Sequence, residues 1–229
     1  MILSIIVPAY NEEKTIVQIL EKLRETKPDN ISYQVIVIND CSKDNTRSLL
    51  EANDHLYEIL INNSNNIGKG GSVKKALESA QGEYVIFQDA DLEYDPSDLT
   101  KFVNLILKFK PDVILGSRFN YDRYSKSHNF FNKIGNHFLS FLFNIFFNTT
   151  FTDIYCCYFC FKKKLIDPKN LKTYGFEQQA EILAKCVKNS NSFYEVPVNY
   201  SGRSALEGKK IKFYHVFSVI KEIIKNRII

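Results

Sequence analysis

The sequence predicts one α/β domain built on a mainly parallel sheet, and three observations carry that prediction. Short apolar runs at 3–7, 34–38 and 84–87 have the length and continuity of strands covered on both faces. The first two are each followed by a polar turn and then by apolar residues at helical spacing, the rhythm of βα units. At 229 residues and 45% hydrophobic content the chain can bury one large core, and nothing argues for a second, so residues 1–229 are read as a single domain.

Bulk composition excludes some classes of function. Lys plus Arg number 30 against 26 Asp plus Glu, a balance too mild to suggest a nucleic-acid binder. The five cysteines, at 41, 156, 157, 160 and 186, are an odd count, and Met1 leads into a strand with no basic leader or cleavage site. A reducing cytosol is the expectation. Cys157 and Cys160 form a CxxC with no second Cys or His pair at ligand spacing, which reads as buried small hydrophobes.

In order along the chain, Pro8 stops the first strand, and Asn11 is placed to cap a helix carrying Ile16, Ile19, Leu20 and Leu23. The second strand runs into the polar turn 39–46 ahead of another helix. A third strand is expected over 57–62, followed by the glycine-rich stretch 66–72 and a helix through Ala80, which Gly82 closes. These glycines could let backbone approach a phosphate, but the spacing is neither GxGxxG nor a complete Walker pattern. The strand at 84–87 then drives into Gln88-Asp89-Ala90-Asp91-Leu92-Glu93. Three carboxylates, Asp89, Asp91 and Glu93, end a buried strand there. Clustered negative charge at the edge of a core calls for a cation, and oxygen ligands favour a hard divalent ion, Mg2+ or Mn2+. In a parallel sheet the ligand lies beyond the carboxyl ends of the strands, where Tyr10, Glu12, Asp40 and Asp89 all fall. One crevice is therefore expected to gather them.

Pro96 sits in the first turn of a helix over 97–109 that Pro111 ends, and a strand at 112–115 closes on Gly116-Ser117-Arg118. Arg118 is either a solvated strand end or a planar fork for a phosphate. The aromatic stretch 130–147 contains no run of about 18 apolar residues, so it is not a spanning segment. It reads as an amphipathic helix whose apolar side packs on the sheet or lies in a bilayer interface. Thr152-Asp153 precede an apolar strand, 175–183 is a loop entering a helix, and 195–200 is a short strand. A polar loop over 201–210 leads to a helical tail, 213–229, with Phe213, Val216, Phe217, Ile220 and Ile224 on one side. Six basic residues from Lys209 onward face one acid, Glu222, which suits either a solvated helix or an anionic membrane surface.

The succession PAYNEE (8–13), INDCSKDNT (38–46), NIGKGGS (66–72), DADLEYDP (89–96), GSR (116–118), TD (152–153) and VPVNYSGRSALEGKKI (196–211) resembles the inverting family 2 glycosyltransferases, above all the dolichyl or polyprenyl phosphate mannosyl- and glucosyltransferase branch. The resemblance implies a GT-A fold, a three-layer α/β/α sandwich around a mixed, mainly parallel sheet. It implies that Pro8, Tyr10, Glu12, Ile38 and Asp40 hold the donor's base and ribose, with Asp89, Ala90 and Asp91 under ribose and diphosphate. The metal would sit on Asp91 and Glu93 beside Asp89, and Arg118, Arg203 and Lys209 would engage phosphates. Asp91, Asp153 and Arg118 are the implied catalytic residues. The implied reaction moves a hexose from GDP-mannose or UDP-glucose to a polyprenyl or dolichyl phosphate, by a peripheral protein at the cytoplasmic face of a membrane. An acceptor hydroxyl on a polysaccharide or glycolipid is the alternative; it would need a general base, Asp153 or Glu181. A third reading is a non-catalytic nucleotide-sugar binding protein. A dinucleotide-binding oxidoreductase is disfavoured, because neither early strand is followed by a glycine fingerprint. The chain departs from the family pattern at Asn39-Asp40-Cys41-Ser42, where DDGS is usual, and at Phe159, where many relatives have Lys. The Arg and Ser that bind lipid phosphate in the mannosyl branch are not evident; Lys126, His128 and Lys133 are the nearby substitutes.

Overall fold

A computed structural model describes residues 1–119, 130–202 and 215–228. Strand β1 (Ile2–Ala9) lies in the interior of the sheet, with Leu3, Ile5, Ile6 and Val7 fully buried. Helix α1 (Ile16–Glu25) returns the chain to β2 (Ser32–Asn39), and α2 (Thr46–Ala52) returns it to β3 (Ile59–Asn62). Both strands add in parallel on one side of β1. After α3 (Gly68–Ser79), β4 (Tyr84–Phe87) lands on the other side of β1, again in parallel. That reversal is a topological switch point, and it opens a crevice beyond the carboxyl ends of β1 and β4.

The remaining elements are α4 (Leu99–Phe109), β5 (Val113–Ser117), α5 (Phe130–Phe147), β6 (Phe159–Lys162), α6 (Gln178–Lys188), β7 (Phe193–Pro197) and α7 (His215–Ile228). They complete a seven-stranded sheet in the order β3-β2-β1-β4-β6-β5-β7. Strand β6 runs antiparallel to β4 and β5, and β7 is parallel to β5, so the sheet is mixed and mainly parallel. Edge-to-face contacts of Phe87 with Phe159 and Phe161 tie β4 to β6.

Several local expectations need correction. Asn11 does not cap α1: the helix starts five residues later, at Ile16, because Asn11 is left-handed (φ 53°) and its side chain bonds the loop after β2 instead. The strand expected directly after Asp153 begins only at Phe159, and the last strand lies two to three residues earlier than the sequence suggests. Gly82 closes no helix, since α3 ends at Ser79. A Cβ there would meet the Ser4 backbone nitrogen at 2.6 Å, so the glycine allows two backbones to approach. Pro96 opens a 3₁₀ turn ahead of α4, and left-handed Lys110 ends that helix before Pro111.

The CxxC reading holds. Cys156, Cys157, Cys160 and Cys186 are buried, and burial pushes their thiols well above the ordinary range. All five cysteines are free thiols. Helix α5 buries one side, Leu139, Ser140 and Phe143, and leaves the other in water. Among the described residues no helix is long and apolar enough to cross a membrane.

Candidate active site

Among the described residues, three of the five non-glycine residues with positive φ stand in the loops after β1, β2 and β4: Asn11 (53°), Cys41 (59°) and Leu92 (59°). Such backbone is costly for an L-residue and persists only where its surroundings fix it. Side chains do so here. The Asn11 amide donates to Ser42 Oγ (3.0 Å), and Asn11 Oδ1 accepts from the Lys43 amide (2.8 Å). Asp44 accepts from the Glu13 amide and from both Thr46 N and Oγ1, while Thr46 Oγ1 accepts from the Glu12 amide. Burial would push the Asp44 carboxyl up, but the bonds from Thr46 and Glu13 outweigh it and hold it below its ordinary value. That Asp44 braces the β1 and β2 loops together is not legible from sequence, because the bond crosses between two turns.

Within this frame Tyr10 and Pro8 are half-buried and Glu12 is nearly buried. Ile38 is sealed in the core, so its side chain offers a nucleotide no surface. Asp40 also faces inward: it accepts from Asn63 Nδ2 (2.8 Å), the Ile67 amide (3.0 Å) and the Gly68 amide (2.9 Å). It thereby satisfies one of the open donors at the start of α3.

The carboxylate turn follows. Gln88, fully buried, is fixed by Tyr158 Oη and donates to the Asp89 carbonyl. Asp89 Oδ1 pairs with Lys69 Nζ at 2.5 Å. Burial alone would depress the Lys69 ammonium; the Asp89 carboxylate outweighs it and holds it above its ordinary value. Lys69 lies in the first turn of α3, inside the glycine-rich stretch. The glycines seat that helix against protein backbone: a Cβ on Gly70 would meet the Tyr174 carbonyl carbon at 2.6 Å. The cation of this loop thus reaches the carboxylate turn, while its glycines let α3 pack closely on the Tyr174 backbone. Ala90 is buried, Asp91 Oδ1 accepts from the Glu93 amide (3.1 Å), and Glu93 Oε2 accepts from Tyr200 Oη (2.7 Å). Burial, aided by Glu93, pushes the Tyr200 phenol up. Among the described residues no three acidic, His or Cys side chains form a ready metal cluster.

Beside this turn, Arg118 grips Asp153 with both arms of its fork, Nε to Oδ2 at 2.7 Å and Nη2 to Oδ1 at 2.8 Å, and its backbone amide adds a third bond. Asp153 is fully buried. The guanidinium also lies 5.3 Å from the Tyr200 ring centre, and that ring packs on Tyr94. Glu195 Oε1 fixes the Thr152 amide behind them, with burial pushing its carboxyl up. Glu181, the other base candidate, is committed elsewhere: the Lys172 and Thr173 amides, Thr173 Oγ1 and Lys185 Nζ all donate to it. Burial raises its carboxyl, yet these donors outweigh it and hold it below its usual range. Arg203, Lys209, Lys126 and His128 lie outside the described residues. Sequence reasoning missed Lys69, Asp44, Tyr94 and Tyr200; for Lys69 the available signal was a lone cation among glycines at a helix start.

The sheet order and the crevice at its switch point define the GT-A fold. The glucosyl-3-phosphoglycerate synthase of Mycobacterium tuberculosis, in complex with Mn2+, UDP and glucosyl-3-phosphoglycerate, superposes with a TM-score of 0.74 over 99% of this chain and 80% of its own, at 15% identity, a likeness of fold. Residues 4–167 match the model of Glycosyl transferase family 2, and the chain belongs to that family. It is 28% identical over 232 residues to the UDP-N-acetylglucosamine–dolichyl-phosphate N-acetylglucosaminyltransferase of Methanococcus voltae, covering 92% of this chain and 90% of that one. Identity is 34% over 140 residues, 56% of this chain, with a dolichyl-phosphate beta-glucosyltransferase of Trichomonas vaginalis, of whose length the match spans 43%.

Proposed function

We propose that the chain catalyses metal-dependent, inverting transfer of a hexose from a nucleotide diphosphate sugar to a polyprenyl or dolichyl phosphate. The observation that carries the acceptor class is the state of the two candidate bases. A hydroxyl acceptor must lose a proton, yet Asp153 is locked into the Arg118 fork and Glu181 into four donors. A phosphate acceptor arrives ionised and needs no base, and the names of both curated relatives carry dolichyl phosphate.

A hard divalent ion suits a turn of few carboxylates, because Mg2+ binds through one or two carboxylates plus substrate phosphates. Asp91 and Glu93 supply oxygen ligands at the turn, with Asp89 beside them; Mg2+ or Mn2+ held there would neutralise charge on the leaving diphosphate. Lys69 keeps Asp89 oriented. Arg118, whose side chain is 12% exposed, sits beside the turn as the fixed cation for a phosphate. Pro8, Tyr10 and Glu12 line the base and ribose end. The acceptor's prenyl tail implies work at a membrane surface, and five free thiols suit its cytoplasmic, reducing side.

Transfer from radiolabelled GDP-mannose, UDP-glucose and UDP-N-acetylglucosamine, each with Mg2+ or Mn2+, to a short polyprenyl phosphate in detergent tests this reading. Label in the lipid from one donor is expected, absent without metal and in Asp91→Ala, while Asp153→Asn keeps part of the activity. A donor that binds with metal yet labels no lipid would sink the lipid-phosphate acceptor and send the search to hydroxyls.

A further inference from the structure

Within the carboxylate turn, Glu93 takes hydrogen bonds from the far end of the chain. The segment that follows β7 folds back across the turn: the Ser201 amide donates to the Glu93 carbonyl (2.9 Å), Tyr94 and Tyr200 form an antiparallel bridge, and Tyr200 Oη donates to Glu93 Oε2 (2.7 Å). On its other side the Glu93 amide donates to Asp91 Oδ1 (3.1 Å). One line of bonds therefore runs from the Tyr200 hydroxyl through Glu93 to Asp91.

Tyr200 is itself anchored from several directions. Its neighbour Asn199 donates to buried Asp98 through both its amide (2.6 Å) and Nδ2 (3.1 Å). Asp98 pairs with Lys101 at 3.1 Å, and the same ammonium donates to the Pro197 carbonyl (2.9 Å), so the strap 197–199 is tied to the start of α4. The Tyr200 ring packs on buried Tyr94 at 4.9 Å between centroids, and Tyr94 packs on Tyr158 at 5.1 Å while its hydroxyl accepts from the Cys157 amide (3.2 Å). A hydroxyl on so fixed a ring is a reference point to which the more flexible glutamate conforms. A carboxylate offers about four lone-pair sites, so one donor on Oε2 orients it without exhausting its capacity for an ion. Partners of this kind, which hold a ligand rather than the ion, typically change metal affinity by about 10–100-fold when removed.

We propose that Tyr200 is a positioning residue for the divalent ion: its hydroxyl sets the Glu93 carboxylate beside Asp91, so that an arriving ion meets oxygens already in place. The inference rests on the reading of this turn as the metal site, and it adds a residue from the opposite end of the chain that touches neither the ion nor the sugar.

The test is a Mn2+ titration of the purified chain with saturating UDP or with GDP, the free ion being read from its electron paramagnetic resonance signal against nucleotide-only blanks. Tyr200→Phe keeps the ring and its packing and removes only the hydroxyl. Glu93 and Tyr200 are both half-buried, so water replaces the lost donor, and the metal-free circular dichroism melt is expected to be nearly unshifted. Mn2+ binding is expected to weaken about tenfold or more in Tyr200→Phe. It should weaken at least as much in Glu93→Ala, and no further when the two changes are combined, since Tyr200 acts through the side chain already removed. Tyr200→Phe that binds Mn2+ as tightly as wild type overturns the inference. So does a loss that recurs in full on the Glu93→Ala background, because the hydroxyl would then act by another route. Asp91→Ala separates the two readings. If it binds as wild type does, or if wild type binds no Mn2+ with either nucleotide, the metal site itself falls and the role of Tyr200 with it; if Asp91→Ala loses the ion while Tyr200→Phe keeps it, the metal site stands and only Tyr200 is dismissed.

Discussion

Asp153 is sealed from water, and the Arg118 fork is the cation that balances it. A buried carboxylate stripped of its partner is far costlier than the pair is favourable, by about 3–5 kcal/mol. Arg118→Ala is therefore expected to lower the urea-unfolding free energy by about that much, and Arg118→Lys to recover part of it, since an ammonium restores charge without the fork. A loss under about 1 kcal/mol for the alanine variant would mean that water reaches Asp153. The Lys69–Asp89 pair behaves differently because its side chains are 30% and 23% exposed, so its share of stability is screened. Lys69→Met should barely shift the melt. Removing a cation beside the carboxylates should tighten Mn2+ binding, read by calorimetry, while loosening Asp89 slows transfer on the order of tenfold, the effect of about 1.4 kcal/mol. Unchanged metal affinity and rate together would remove Lys69 from the site. The carboxylates were legible because their position after a buried strand announces them. Lys69 was not, since it reaches Asp89 across 20 residues only once α3 is seated.

That seating belongs to whole elements. Helix α3 rests on the backbone of Tyr174 through Gly70, and the same loop hangs from Glu181 at the start of α6. Gly70→Ala drives a Cβ into backbone that cannot yield cheaply, which is expected to cost about 1–3 kcal/mol and to lower activity by displacing Lys69. Glu181 makes the seat pH-dependent. Its carboxyl is held below its unfolded value of 4.5, so its stabilising contribution is complete above pH 4.5 and fades as pH falls through the lower folded value. Urea melts should find Glu181→Gln less stable than wild type by about 1–3 kcal/mol at pH 7, with the gap closing below pH 4.5. A gap that does not narrow at all as pH falls below 4.5 would show that shape, not charge, holds the loop. At this scale the βα rhythm was read correctly because apolar periodicity is local. The direction of β6, the true start of α1 and the seating of Gly70 on Tyr174 were not legible, because each depends on a partner distant in sequence: β4 and β5 for β6, the Lys43 amide for Asn11, Tyr174 for Gly70.

For the molecule as a whole, the switch point gathers loops from several strands, and side chains such as Asn11, Asp40 and Asp44 help hold them in register. A ligand that bridges the β1, β4 and β5 loop ends binds the folded chain alone and so stabilises it. At a hundredfold excess over its dissociation constant the gain is about 2.7 kcal/mol, or roughly 5–10 °C in Tm for a domain of this size. A nucleoside diphosphate is expected to produce that shift with Mg2+ or Mn2+ and little of it with chelator, because the carboxylate turn repels an unneutralised diphosphate. Asp91 is partly exposed, so Asp91→Ala should leave the unliganded Tm nearly unchanged and abolish the metal-dependent part of the shift. If that variant keeps the full metal-dependent shift, the ion sits elsewhere and the role given to Asp91 falls. If the shift is full without metal, cations of the chain itself, Lys69 and Arg118 among them, carry the diphosphate.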